Sequence, residues 1–358
     1  LQNISSYILT NESTIFGNKF TSFFEVTSYN LIWNAAHIQI RNLDFNVFSY
    51  NVRNSLTLTF NDIEYNTLYG YFVISNQKAD SCSLSISNYV DMINQPPLFP
   101  STLIGFTECE HLMAHFSNFT TMQTALMSSL TYYLNLSGEG MIFKTAKLPG
   151  YDMIQAQTSG PVQVKLTNLQ FLGNLTQKRI ISAFAPNLLK ITSTFYRKLT
   201  DHEIEISDVV LKNYPMNLLS GEYQDVDQVT LIPVIKNISF DNSKGSIIKS
   251  KYVSYQVEIQ DITAKNSVVN IGTITEPVIS NITLNNIHLE DFIDTQENLG
   301  LFQDTTATLN SMYMRNVSAN LQFNGSEATL KNFSCVNNSI PDYFGGCLQL
   351  SNTVITME

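Results

Sequence analysis

One short unit recurs along nearly the whole of this 358-residue chain, and that recurrence restricts the possible folds more than any other feature. The unit is h-x-h-x-(Asn/Asp)-h-x-h, where h is apolar: two alternating runs flanking one amide or carboxylate. It reads IQIRNLDF around Asn42, LTFNDIEY around Asp62, LSISNYV around Asn88 and AHFSNFTT around Asn118. VKLTNLQF around Asn168, IEISDVVL around Asp208, PVIKNISF around Asn237 and VEIQDITA around Asp261 continue the series. ITLNNIHL around Asn286, TLNSMYM around Ser311, TLKNFSC around Asn332 and LQLSNTVI around Asn352 close it. The gaps from Asn118 to Asn168 and from Asn168 to Asp208 are close to double the others, so each is expected to hide a degenerate coil, the second at LKITSTFY.

A three-residue strand cannot bury its apolar face alone. A chain that climbs one strand spacing, about 4.8 Å, per turn lets each strand complete the one below it. The residue between the two runs must turn the chain sharply, and Asn or Asp tolerates the left-handed conformation such a corner needs. Stacked corners then allow amide to hydrogen-bond amide from coil to coil, which would satisfy polar groups inside the bend. The pattern predicts an all-β chain: one continuous right-handed parallel β-helix of roughly 12 to 14 coils over residues 1–358. Ile282, Leu284, Ile287 and Leu289 should face inward and stack on Val257, Ile259, Ile262, Leu309, Met312 and Met314. Residues 119–160 fit the unit poorly and read as an irregular or inserted stretch, with TMQTALMSSLTYYL as a short helix. The final CLQLSNTVITME stops within the unit and reads as a cut inside a longer repeat array.

The segment FSCVNNSIPDYFGGCLQLSNTVI has an Asn-rich strand end, a loop, the pair Gly345 and Gly346, and another alternating run. It resembles the repeats of right-handed parallel β-helix proteins of the pectin-lyase-like superfold. The likeness is greatest to the non-enzymatic versions in polymorphic outer-membrane-type adhesins and large ciliate surface proteins. It covers roughly residues 37–358 and implies a surface solenoid rather than a catalyst.

Charge and cysteine use define the setting. Only 14% of residues are charged, and the net charge of −10 comes with no basic run, which argues against a nucleic-acid backbone as partner. No apolar run reaches the 18 or so residues of a membrane-spanning helix. Four cysteines fall as two local pairs, Cys82 with Cys109 and Cys335 with Cys347, the pattern of two disulfides in an oxidising compartment. Eleven N-x-Ser/Thr sequons point the same way. Asn3, Asn11, Asn135, Asn174, Asn281, Asn316, Asn324 and Asn337 are read as surface sites free to carry N-linked glycans. Asn118, Asn237 and Asn332 coincide with corners, where an amide turned into the ladder would exclude a sugar.

Catalytic signatures are missing. Glycoside hydrolysis needs paired carboxylates, and the sequence has no Asp-Asp pair, no Gly-His-Gly, and a KRIIS run at 178–182 that lacks a final Lys. Glu110, His111 and His115 have helical metal-site spacing but sit in a strand-like context. The acidic runs EYQDVDQ (Glu222, Asp225, Asp227) and EDFIDTQEN (Glu290, Asp291, Asp294, Glu297) lack a calcium-loop glycine. YGYF (Tyr69 to Phe72) and the pair Tyr132 and Tyr133 suit core stacking as well as sugar stacking. No catalytic residue, cofactor or metal is assigned. The resulting expectation is a secreted structural glycoprotein that associates with itself or with other extracellular structural proteins. A carbohydrate-binding β-helix is the alternative, and a diverged polysaccharide enzyme the third reading.

Overall fold

The structure is a computed structural model and describes residues 7–9, 22–41, 46–66, 72–75, 77–91, 102–122, 125–145, 151–183, 185–193, 200–223, 229–251, 254–275, 280–292, 298–338 and 347–358. These wind as a parallel β-solenoid of about 10 turns, almost entirely strand. Every described strand pairing is parallel. Each turn has three faces, most clearly resolved in the stretch from Ser280 to Val336. Ser280–Glu290 supplies the first face up to Asn285 and the second from Ile287, Gly300–Gln303 supplies the third, and Thr306–Arg315 begins the next turn.

Left-handed backbone marks the corners between faces. Between the first and second faces, φ lies near +50° to +65° at His37, Asp62, Asn88, Asn118, Gly140, Asn168, Asp208, Asn237, Asp261, Asn286, Ser311 and Asn332. A second file follows the second face at Asn213, Asn242, Asn266, Asp291, Asn316 and Asn337, and a third follows the third face at Asp304, Gly325 and Asn352. Asn352 therefore does not continue the Asn332 file. The pairing of Asn324 with Ser351 and of Glu327 with Val354 sets it beside Gly325. Asn42 is also displaced from the first file: Ala36 pairs with Asn61 and Ile38 with Ile63, so His37 holds that corner. Asn42 itself lies outside the described residues.

The first long gap hides the expected further coil, though not as an irregular stretch, and the second does not. In place of an irregular stretch and a helix, Ala125–Thr145 is one strand segment running through a corner, and its partners place Gly140 beside Asn118. Glycine supplies the positive φ there without a side chain, so the Asn/Asp pattern cannot find it. The second gap holds no extra turn. Val162–Gly173 pairs directly with Thr200–Lys212, and LKITSTFY begins in Asn187–Ser193, the third-face strand of the same long turn. The short helix Gln177–Ser182, which contains KRIIS, lies between them. Counting Asn352 and LKITSTFY as separate coils is what raised the upper end of the sequence count to 14, against twelve first-file corners among the described residues.

Register stacks like on like. Val257, Ile282, Ala307 and Ala328 form one inward row; Ile259, Leu284, Leu309 and Leu330 the next; Ile262, Ile287, Met312 and Phe333 a third; and Ala264, Leu289, Met314 and Cys335 a fourth. Full burial of each aliphatic side chain contributes about 1.5–3 kcal/mol. Towards the N-terminus the same positions carry rings, with Tyr89 stacked on Phe119 at 4.2 Å and Phe143 on Phe171 at 4.7 Å. On the third face neighbouring residues are both buried, as in Leu188 with Leu189, Leu218 with Leu219 and Ile247 with Ile248. That breaks the alternation that marks the other faces in sequence.

An imidazole occupies one of the inward positions. His202, fully buried between Val162 and Leu231, has its pKa lowered from 6.5 to about 4 by desolvation. A folded-state pKa below the unfolded one means that the unfolded chain takes up the proton first as pH falls. The contribution is intact above about pH 6.5 and is lost progressively down to about pH 4, by roughly 3 kcal/mol in all. Denaturant titrations at pH 7 and pH 4 should show that loss, and His202→Gln should reduce the difference between the two pH values.

Candidate functional site

The polar chemistry of the solenoid lies on its outside, and the corner files are its most regular element. Asn118 Nδ2 donates to Asn88 Oδ1 at 3.2 Å, Asn237 Nδ2 to Asp208 Oδ1 at 2.9 Å and Asn286 Nδ2 to Asp261 Oδ1 at 2.6 Å. In the second file Asn242 donates to Asn213 at 2.6 Å and Asn316 to Asp291 at 2.7 Å. His37 and Asp62 make the corresponding contact at the first described corners. The amides therefore run from turn to turn, but along the exterior, where the course of each turn places the corner side chains. Asp62, Asn88, Asn118, Asn168, Asp208, Asn237, Asn286, Asn332 and Asn352 are all exposed, and Asp261 half so.

This outward direction corrects the reading of the corner sequons. Asn118, Asn237 and Asn332 are as exposed as Asn174, Asn281, Asn316, Asn324 and Asn337, while Asn135, on the first face, is half-buried. An amide has two N–H bonds and the file uses one, so neither burial nor hydrogen bonding excludes a sugar at these corners. Glycopeptide mass spectrometry of the chain made in a glycosylating host should find Asn118 and Asn237 occupied to a degree comparable with Asn174. Bare corners beside a fully occupied Asn174 would contradict this. Asn3 and Asn11 lie outside the described residues.

The cysteines pair as the sequence suggested, Cys82 with Cys109 at a Cα separation of 6.2 Å and Cys335 with Cys347 at 6.6 Å. The first pair is buried and joins adjacent turns; the second is part-exposed near the last described turn. Other candidates separate. His111 and His115 lie four residues apart on the strand Thr102–Thr121, about 13 Å along it, too far to share a metal. His115 instead bonds Ser137 Oγ at 2.8 Å. Glu222 pairs with Lys190 at 3.0 Å, and Glu290 with His288 at 3.0 Å and Arg315 at 3.2 Å. Among the described residues no three His, Cys, Asp or Glu side chains are grouped to hold a metal. Phe72 is a core residue, Tyr132 is exposed, and Tyr133 donates its hydroxyl to Gln163 at 2.7 Å. Asp225, Asp227, Asp294, Glu297, Gly345, Gly346 and Tyr69 to Tyr71 fall outside the described residues.

A feature the repeat did not announce lies on the third face. Outward residues of Asn187–Ser193, Asn217–Tyr223, Lys244–Lys251 and Val268–Thr275 line an open groove of about 680 Å³, with Ala183 and Ala185, just beyond the helix, on one wall. Its floor is a network of amides held in fixed orientation. Asn187 donates from backbone and side chain to Asp152 Oδ1 at 2.9 and 2.8 Å. Asn217, only 6% exposed, donates to Ala185 O at 2.6 Å and accepts from Ser246 N at 2.9 Å. Asn270 donates to Asn298 O at 2.9 Å and accepts from Thr273 Oγ1 at 3.2 Å. The sequence signal for this groove was the long interval between Asn168 and Asp208, where the period fails.

Fold and surface together define a parallel β-solenoid with polar files along its corners. Comparison of the chain with protein-family models, with curated proteins and with solved structures finds no match.

Proposed function

We propose that the chain is a non-catalytic, glycosylated structural rod of an extracellular surface or filament, associating through strand edges and lateral loops. The observation that carries this reading is the continuous parallel stacking of about 10 turns, which gives about 50 Å of length. Its outer rows carry many hydroxyls and amides, and Glu205, Glu222 and Glu290 are paired to lysine or arginine. Two cysteine pairs at disulfide distance support an oxidising setting. No helix among the described residues is long and apolar enough to cross a membrane.

Solenoids associate by adding strands to an open rung, since unpaired N–H and C=O groups template another strand. When residues 1–358 are made as a separate chain, the strands Leu348–Ser351 and Val354–Met357 present such a rung, with Leu350, Val354 and Met357 47%, 66% and 73% exposed. Sedimentation velocity over a hundredfold concentration range tests the reading. The chain should form particles that lengthen in multiples of the rod, seen also by negative-stain microscopy, and the double variant Val354→Lys, Met357→Lys should abolish them. A chain that stays monomeric throughout, or a double variant that associates normally, would overturn it.

A further inference from the structure

We propose that the second face is a lateral contact with a second copy of this chain, the two rods antiparallel, which rests on the structural reading above and gives it a specific partner surface. Of the two outward rows on this face, the one nearer the second corner file alternates in charge. Register places Lys212, Asp241, Lys265, Glu290 and Arg315 on five successive turns. Leu172 precedes them and Val336 follows, so the charged run ends in an apolar residue on each side. Alternation of this kind stabilises a single sheet where neighbouring charges meet, as Glu290 does with Arg315 at 3.2 Å. At the centre of the row they do not meet: Lys212, Asp241 and Lys265 are exposed, and no ion pair among the described residues engages them.

A row of alternating sign is complementary to its own reverse. Two such faces can meet about a two-fold axis that runs along the strand direction, which reverses one rod and sets each row opposite its own copy. With the axis between the turns of Asp241 and Lys265, each Asp241 faces the partner's Lys265 and each Lys212 faces the partner's Glu290. Arg315 then faces the partner's Leu172, and Lys144 the partner's Val336, so no charge in the row meets its like. Sliding one rod by a single turn sets Lys212 against the partner's Lys265, or Asp241 against the partner's Glu290, and both registers are repelled. The first-file corners bordering the face, Asp208, Asn237, Asp261 and Asn286, place carboxylates only on the lysine turns, so the favoured register sets no corner carboxylate opposite another.

The inner row permits close approach at the axis. Ser239 would face the partner's Thr263, both small, and an open hollow of about 620 Å³ bordered by Asp241, Lys265 and Glu290 leaves room for the facing side chains. Exposed ion pairs add little singly, so two rods bind weakly and reversibly, and firm attachment needs many copies side by side. Charge here decides which faces meet, and in what register, more than how tightly they hold.

Sedimentation equilibrium of the full chain carrying Val354→Lys and Met357→Lys, with N-glycans trimmed to single sugars, isolates this contact from growth at the last rung. Particles should be one rod long and two rods wide in negative stain, and association should weaken severalfold between about 50 and about 500 mM salt. Lys265→Glu and Asp241→Lys, added singly, should each weaken it about tenfold or more, because each sets two like-charge pairs beside the axis. An equimolar mixture of those two variants should recover it, since the lysine introduced in one meets the glutamate introduced in the other. Lys249→Glu, on the third face, should leave it unchanged. Thermal unfolding at the unaltered midpoint establishes that each variant is folded. A mixture that associates no better than its components, a Lys249→Glu loss equal to that of Lys265→Glu, or no lateral pairs at low salt would each overturn the proposal. Lengthened particles are scored separately, in the chain without Val354→Lys and Met357→Lys, so failure of end-on growth and failure of this contact are distinguished.

Discussion

Ile287→Asp is expected to unfold the turns around it. Ile287 is 1% exposed and sits in register between Ile262 and Met312, with no polar group in that row. A carboxylate there loses its hydration without a partner, and the isoleucine's packing is lost too, for a combined cost of about 4 kcal/mol or more. In a solenoid each turn contacts only its neighbours, so the loss should appear first as local opening. Hydrogen exchange should show amides of 254–265, 280–290 and 306–315 losing protection before those of the N-terminal turns. Thr263→Asp, one position away on the outward side, should change stability by no more than about 0.5 kcal/mol. Equal stability of the two variants would mean that the inward row is wrongly assigned.

Gly245→Ala tests the backbone in the same way. A Cβ at Gly245 would lie 1.8 Å from Met216 O, a backbone atom that cannot rotate aside. Relieving the clash requires neighbouring third-face strands to separate, and we expect a loss of about 3 kcal/mol in denaturant unfolding, together with a distorted groove floor. Gly138→Ala is the contrast. Its nearest atoms are Met141 Sδ and Leu166 Cδ2, the ends of flexible side chains, so repacking should limit the cost to about 1 kcal/mol. Similar costs at both glycines would remove backbone crowding as the cause.

The first two faces were legible in sequence because each obeys two rules at once, a period of two and a corner residue suited to positive φ. Wherever both rules held, as from Val257 to Leu289, inward and outward positions followed directly. The corner rule failed where another residue solved the same steric problem, Gly140 by having no Cβ and His37 by tolerating the conformation, whereas Ser311 was found from its flanking runs alone. The third face escaped notice because consecutive buried pairs such as Leu218 and Leu219 erase the alternation. The groove was hidden for a related reason, since Asn187, Asn217 and Asn270 resemble loop residues until register places them side by side. Corner direction could not be read from the pattern at all. A positive φ sets where the backbone bends, while inward or outward placement of the side chain depends on the three-dimensional course of the turn.

Successive first-file corners are separated by as few as 21 residues, from Ser311 to Asn332, and as many as 40, from Asn168 to Asp208. Each interval nonetheless advances the stack by the same single strand spacing. Axial length in this molecule is thus uncoupled from the amount of chain spent per turn. Extra residues go sideways, into bulges at the faces and corners, and the rows above and below keep their alignment. A lineage that lengthens or rewrites one such excursion can try a new surface without renegotiating the core, whereas removing a single residue from a first-face strand would turn the side chains between it and the next corner inside out.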